Sequence, residues 1–74
     1  LSKFTGIYGS LEMGNFSVFE KEKKLFLKYS ETLEEFKFSS SKNGTVGEQT
    51  FKFLFSQDQR ANALALDLRV FLLK

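Results

Sequence analysis

Cysteine is absent from the 74 residues, so the chain has neither a disulfide staple nor a thiolate metal ligand. Histidine is absent as well, which removes the commonest metal ligand and the usual general base. A carboxylate-only site for a hard cation would need an Asp-rich loop, and none is present. We therefore expect no cofactor. Long apolar runs are missing too. The longest nearly apolar stretch, Leu64 to Leu73, is interrupted by Asp67 and Arg69 and is far too short to span a bilayer. No signal-peptide pattern is present. Nor is there a charge excess of one sign: the formal net charge is +2, and bases alternate with acids as in Glu20-Lys21-Glu22-Lys23-Lys24. That balance gives no reason to expect nucleic acid or an anionic membrane as a partner.

What the chain does have is phenylalanine, ten of them beside two tyrosines. A chain this short buries only about 60% of its unfolded surface, so each large apolar side chain counts. The most informative stretch runs from Thr50 to Lys74. Phe51, Phe53 and Phe55 alternate with Lys52 and Leu54, the polar break Ser56-Gln57-Asp58-Gln59-Arg60 follows, and Leu64, Leu66, Leu68, Val70 and Leu72 alternate again. Side chains on a strand change face at each residue, so this reads as two strands, each with one apolar face.

The same pattern recurs upstream. Phe4 to Tyr8 is a short β-like opening in which Gly6 and Gly9 mark a bend or close backbone approach. Leu11 to Asn15 reads as a loop. Phe16–Phe19 and Leu25–Tyr29 flank the charged Glu20–Lys24 segment as a hairpin. In it Phe16, Val18, Leu25, Leu27 and Tyr29 face inward, with Phe19, Phe26 and Lys28 on the other side. Leu33–Phe38 is a further strand with Phe36 and Phe38 on one face. Ser39 to Glu48 is the least structured stretch, and its Asn43-Gly44 suits a type I′ turn. The count is about six antiparallel strands, an all-β fold closed into a small barrel or strongly curled sheet. One alternative stands: Ala61, Leu64, Ala65, Leu68 and Leu72 also share a helical face, and a helix over 61–72 would make the fold α+β.

Several patterns could carry chemistry. Ser39-Ser40-Ser41-Lys42 matches S-x-x-K, in which a lysine beside a serine hydroxyl activates it. Here it lies in a polar, serine-rich loop with neither S-D-N nor K-T-G after it, and it reads as a turn. Glu34 and Glu35 are adjacent on a strand, so they point to opposite faces and cannot converge on one substrate. We read them as a solvated strand edge or turn. The lysines sit opposite the phenylalanines or beside glutamates, unlike the positive groove with exposed aromatics that binds single-stranded nucleic acid. A barrel of about eight strands can hold one small ligand, whereas six short strands with ten phenylalanines are expected to fill their own interior. Phe19 and Phe26 form either an outward apolar pair that docks a partner, or a second core layer beneath the Leu11–Asn15 loop.

The order of features resembles the small, lipocalin-like β-domain at the C-terminus of serine β-lactamase-like and penicillin-binding-protein-like hydrolases. The residues that carry the resemblance are Phe4 with the G-x-Y triplet Gly6-Ile7-Tyr8, then Gly14-Asn15-Phe16-Ser17-Val18, then Lys23-Lys24-Leu25-Phe26-Leu27. Phe53-Leu54-Phe55 before a polar turn and the closing Val70-Phe71-Leu72-Leu73-Lys74 complete it. The resemblance implies structural roles for Gly6, Tyr8, Phe53 and Phe55. It also implies a domain without catalytic residues that packs on, gates or oligomerises a hydrolase domain of the same parent chain.

We therefore expect residues 1–74 to be a single small β-domain excised from a longer chain, non-enzymatic by itself. The leading function is accessory packing on a serine β-lactamase-like hydrolase, with Phe19 and Phe26 as the interaction surface. The alternative is a stand-alone domain that binds a small apolar ligand or an extended peptide at a sheet edge.

Overall fold

The computed structural model of the chain describes residues 1–57 and 59–74; Asp58, part of the polar break, lies outside them. A short 3₁₀ turn, Ser2–Phe4, precedes eight strands. They are β1 (Gly6–Ser10), β2 (Gly14–Lys21), β3 (Lys24–Tyr29), β4 (Thr32–Phe38), β5 (Asn43–Val46), β6 (Gln49–Phe55), β7 (Ala61–Leu66) and β8 (Arg69–Leu73). Each strand pairs antiparallel with the next, and β8 returns to β1 through Tyr8↔Leu73 and Gly9↔Leu72. The Lys74 N–H extends that seam by donating to the Ile7 carbonyl at 2.7 Å. The result is a closed up-and-down barrel, the all-β class expected, with eight strands where about six were counted.

Both additional strands have a physical explanation. The run 61–72, read as one strand or a helix, is a hairpin folded at Asp67-Leu68, with Leu66 opposite Arg69. This reversal changes the parity of the apolar residues. Leu64 is fully buried and Phe71 is buried, whereas Leu68 is 101% exposed and Val70 and Leu72 point outward. The expected inward row from Leu64 to Leu72 therefore ends at Leu66. The second addition is β5. Asn43 and Gly44 form no turn; they sit in a strand, with Gly44 opposite Phe38 on one side and Phe51 on the other. A Cβ at Gly44 would collide with the Lys37 carbonyl oxygen and stand 2.8 Å from Phe38 Cα. Glycine is there for the close approach of β4.

The turns set the register. Lys21 pairs with Lys24, leaving Glu22 and Lys23 as a two-residue loop with φ of +55° and +66°. Positive φ at both positions is the type I′ geometry that matches the strand twist. At the β6–β7 pairing Leu54 faces Ala63 while Phe55 faces Ala61, so Asn62 is the extra residue of a bulge.

Phe53 is the hub of the core. Its ring lies 4.5–6.4 Å from the rings of Phe4, Tyr8, Phe36, Phe38 and Phe51. Offset and edge-to-face ring pairs at this spacing are favourable beyond their area burial. Phe4 covers one end of the barrel, 5.3 Å from Phe38 and 5.8 Å from Phe55 between ring centroids. Its carbonyl oxygen accepts a 2.8 Å hydrogen bond from the buried Tyr8 hydroxyl. Arg60 holds the 3₁₀ turn over that end by donating to the Ser2 carbonyl at 3.2 Å and the Thr5 carbonyl at 2.6 Å.

Candidate functional site

The up-and-down topology gives the barrel two unlike ends. The end under Phe4 carries the connections 22–23, 39–42 and 56–60. The opposite end carries the connections 11–13, 30–31, 47–48 and 67–68. There the barrel opens into a cavity of about 750 Å³. Phe16, Leu27, Val46, Leu66 and Phe71 form its apolar wall, and Met13, Tyr29, Glu34, Glu48 and Arg69 stand around its rim.

Strand parity explains how each group arrives. Phe36 and Phe38 face the interior, so Glu34, two residues before Phe36 and directly opposite the inward Leu27, faces it as well. Its carboxyl lies beside Gly47, where a Cβ would sit 3.3 Å from Glu34 Cδ. Gly47 has φ of +60° and opens the tight turn that lets Glu34 lie at the rim. Tyr29 continues the inward row of Leu25 and Leu27 but reaches the mouth, where its hydroxyl donates to the Met13 carbonyl at 3.4 Å. The Arg69 guanidinium points at Met13 Sδ, 3.1 Å away. Asp67 closes its own turn: Oδ1 accepts from the Thr50 N–H at 2.9 Å and the Thr50 hydroxyl at 3.0 Å.

Charge is divided between the ends. Each of the four connections at the open end carries one carboxylate, Glu12, Glu31, Glu48 and Asp67, and Glu34 lies just inside them. Arg69 is the only cation of that rim among the described residues. Among the described residues, the covered end carries Lys3, Lys21, Lys23, Lys24, Lys42, Arg60 and Lys74 against Glu20 and Glu22. A net charge of +2 thus conceals an acidic mouth and a basic base.

The residues singled out in the sequence lie elsewhere. Gly6, Tyr8, Phe53 and Phe55 belong to the covered half of the barrel. Gly6 has φ of +147°, and a Cβ there would stand 2.6 Å from Leu73 Cδ1. Phe55 is half-buried, with the Lys42 ammonium 4.7 Å from its ring centroid. That contact takes the S-x-x-K lysine to the Phe55 ring, while Ser39 and Ser40 bond to Asn43 within the turn. Phe19 and Phe26 are cross-strand partners on the outer wall, stacked with centroids 5.7 Å apart and half-buried. β2 starts at the mouth and reaches Phe19 near the far end, so the 11–13 connection does not cover the pair. No group of three or more carboxylates close enough to hold a metal ion occurs among the described residues. Among the described residues no helix is long and apolar enough to cross a membrane.

The mouth escaped sequence reasoning because its wall and rim residues come from six strands and two connections. One signal was available: the inward face of Phe36 and Phe38 already fixed the direction of Glu34. The architecture defines the class, a closed eight-stranded antiparallel meander barrel with one covered and one open end. No family model, curated protein or solved structure matches the chain. The likeness to accessory domains of serine hydrolases therefore rests on the order of its motifs alone.

Proposed function

We propose that this domain is a binding module that takes a small ligand with an apolar body into the open mouth of the barrel. The supporting observation is the cavity of about 750 Å³ with its apolar wall at one end of a closed barrel. Ligand sites are typically concave, mostly apolar, and about 300–1,000 Å³ in volume. Eight strands give an interior wide enough for one small ligand. The alternative of an extended peptide added to a sheet edge loses its template, because closure pairs both neighbours of every described strand.

The test is a titration of the chain with 1-octanol, followed by aromatic and methyl NMR. The expected shifts fall on Phe16, Leu27, Val46, Leu66 and Phe71, with Phe4, Phe38 and Phe55 unmoved. Shifts confined to the outer wall, or none, would overturn the reading.

The second reading is the accessory role beside a hydrolase domain, supported by an apolar band on the outer wall. Leu72, Ala63 and Leu54 are direct cross-strand neighbours there, with Ile7 and Val70 close by. Phe19 and Phe26 make a separate outer patch. Titration with the hydrolase domain of a parent chain would move these outer residues and leave the mouth unchanged. A partner that moves neither patch would remove this reading.

A further inference from the structure

The cavity has an apolar wall, but its charged groups are mostly of one sign. Glu34 is half-buried, faces inward, and has no hydrogen-bond or ion-pair partner among the described residues. A half-buried carboxylate without a protein partner is open to a cationic group that enters the mouth. Glu48 shares the rim, and Glu12, Glu31 and Asp67 surround it. Low-dielectric walls around charges of one sign focus the field along the mouth. Arg69 opposes this field, but its guanidinium is turned to Met13 Sδ at 3.1 Å. Asp67 is satisfied by Thr50, so Glu34 and Glu48 are the carboxylates that face the cavity.

Resting on the reading of the mouth as a ligand site, we infer that its ligand is a cationic amphiphile: an apolar chain or ring bearing an ammonium group. The apolar body lies against Leu27, Val46, Leu66 and the rings of Phe16 and Phe71. The ammonium rests at the rim on the Glu34 carboxylate, with Glu48 as its second anionic neighbour. The Tyr29 side chain stands at the same rim. An anionic amphiphile of the same length would set its carboxylate against Glu34 and Glu48, with only Arg69 to offset them, and is disfavoured by like charge.

The experiment compares octylammonium, 1-octanol and octanoate on the unmodified 74-residue chain, by calorimetry and by NMR shifts at the mouth. Octylammonium is expected to bind about tenfold more tightly than octanol, and octanoate more weakly still. Glu34→Gln is expected to bring octylammonium close to octanol. Raising the salt concentration should narrow the same gap without any substitution. Octanoate or octanol binding as tightly as octylammonium would overturn the charge assignment and leave the apolar site standing. An undiminished preference in Glu34→Gln would overturn the role given to Glu34. If none of the three moves the mouth resonances, both the ligand class and the binding site fail together.

Discussion

The Tyr8 hydroxyl, fully buried in the barrel, donates a 2.8 Å hydrogen bond to the carbonyl oxygen of Phe4, four residues back. This bond ties the first strand to the 3₁₀ turn that covers one end, and it explains why the G-x-Y triplet follows Phe4 so closely. Tyr8→Phe keeps the ring and strands the carbonyl. The expected loss is about 1–2 kcal/mol in urea denaturation, the cost of an unpaired buried acceptor. An unchanged midpoint would mean that water replaces the hydroxyl.

Burial also pushes the Tyr8 phenol up to about 12, against a smaller opposing effect of the Arg60 guanidinium. The unfolded chain therefore releases this proton near pH 10, before the folded chain does. Stability from the buried phenol is complete below pH 10 and is lost as pH rises from there through 12. Tyr8→Phe should flatten this part of the alkaline stability profile. An equally steep decline in the variant would assign it to the lysines.

Two glycines separate close approach from backbone freedom. Gly44→Ala places a methyl against the backbone of β4, where nothing flexible can yield, and is expected to cost about 2–3 kcal/mol. Gly14→Ala meets open space and bears only the strain of φ at +77°, about 1 kcal/mol. Thermal or chemical unfolding of both variants checks the order. Gly14 proving the more sensitive would contradict the β4–β5 packing.

Glu22 and Lys23 occupy a turn whose positive φ values favour Asn-Gly. The double change Glu22→Asn, Lys23→Gly should stabilise the domain by about 1 kcal/mol. Because this turn lies at the covered end, octylammonium affinity should be unaffected; urea unfolding reads the stability and the ligand titration reads the affinity.

Leu64 and Leu68 look alike in the sequence and differ completely in the barrel, one fully buried and the other 101% exposed. Leu64→Ala should cost about 2–5 kcal/mol, and Leu68→Ala should be close to neutral. Equal costs would rule out a reversal at Asp67-Leu68.

The residues themselves determined the all-β class and the facing of most phenylalanines. Alternation along a strand is local, so Phe16, Phe36, Phe51 and Phe53 point inward whichever strands become neighbours. The outward Phe19–Phe26 pair was legible for the same reason.

Tertiary structure decided the strand number, the closure and the site. The reversal at Asp67-Leu68 has no glycine to announce it; its positive φ at Asp67 is held by Thr50, 17 residues away. β5 is a strand because β4 and β6 supply its hydrogen bonds on both sides, against the turn preference of its Asn43-Gly44. The open mouth exists because Phe4 and Arg60 cover the opposite end alone. Which end of a barrel stays open depends on where the chain's first turn packs, and no local pattern encodes that.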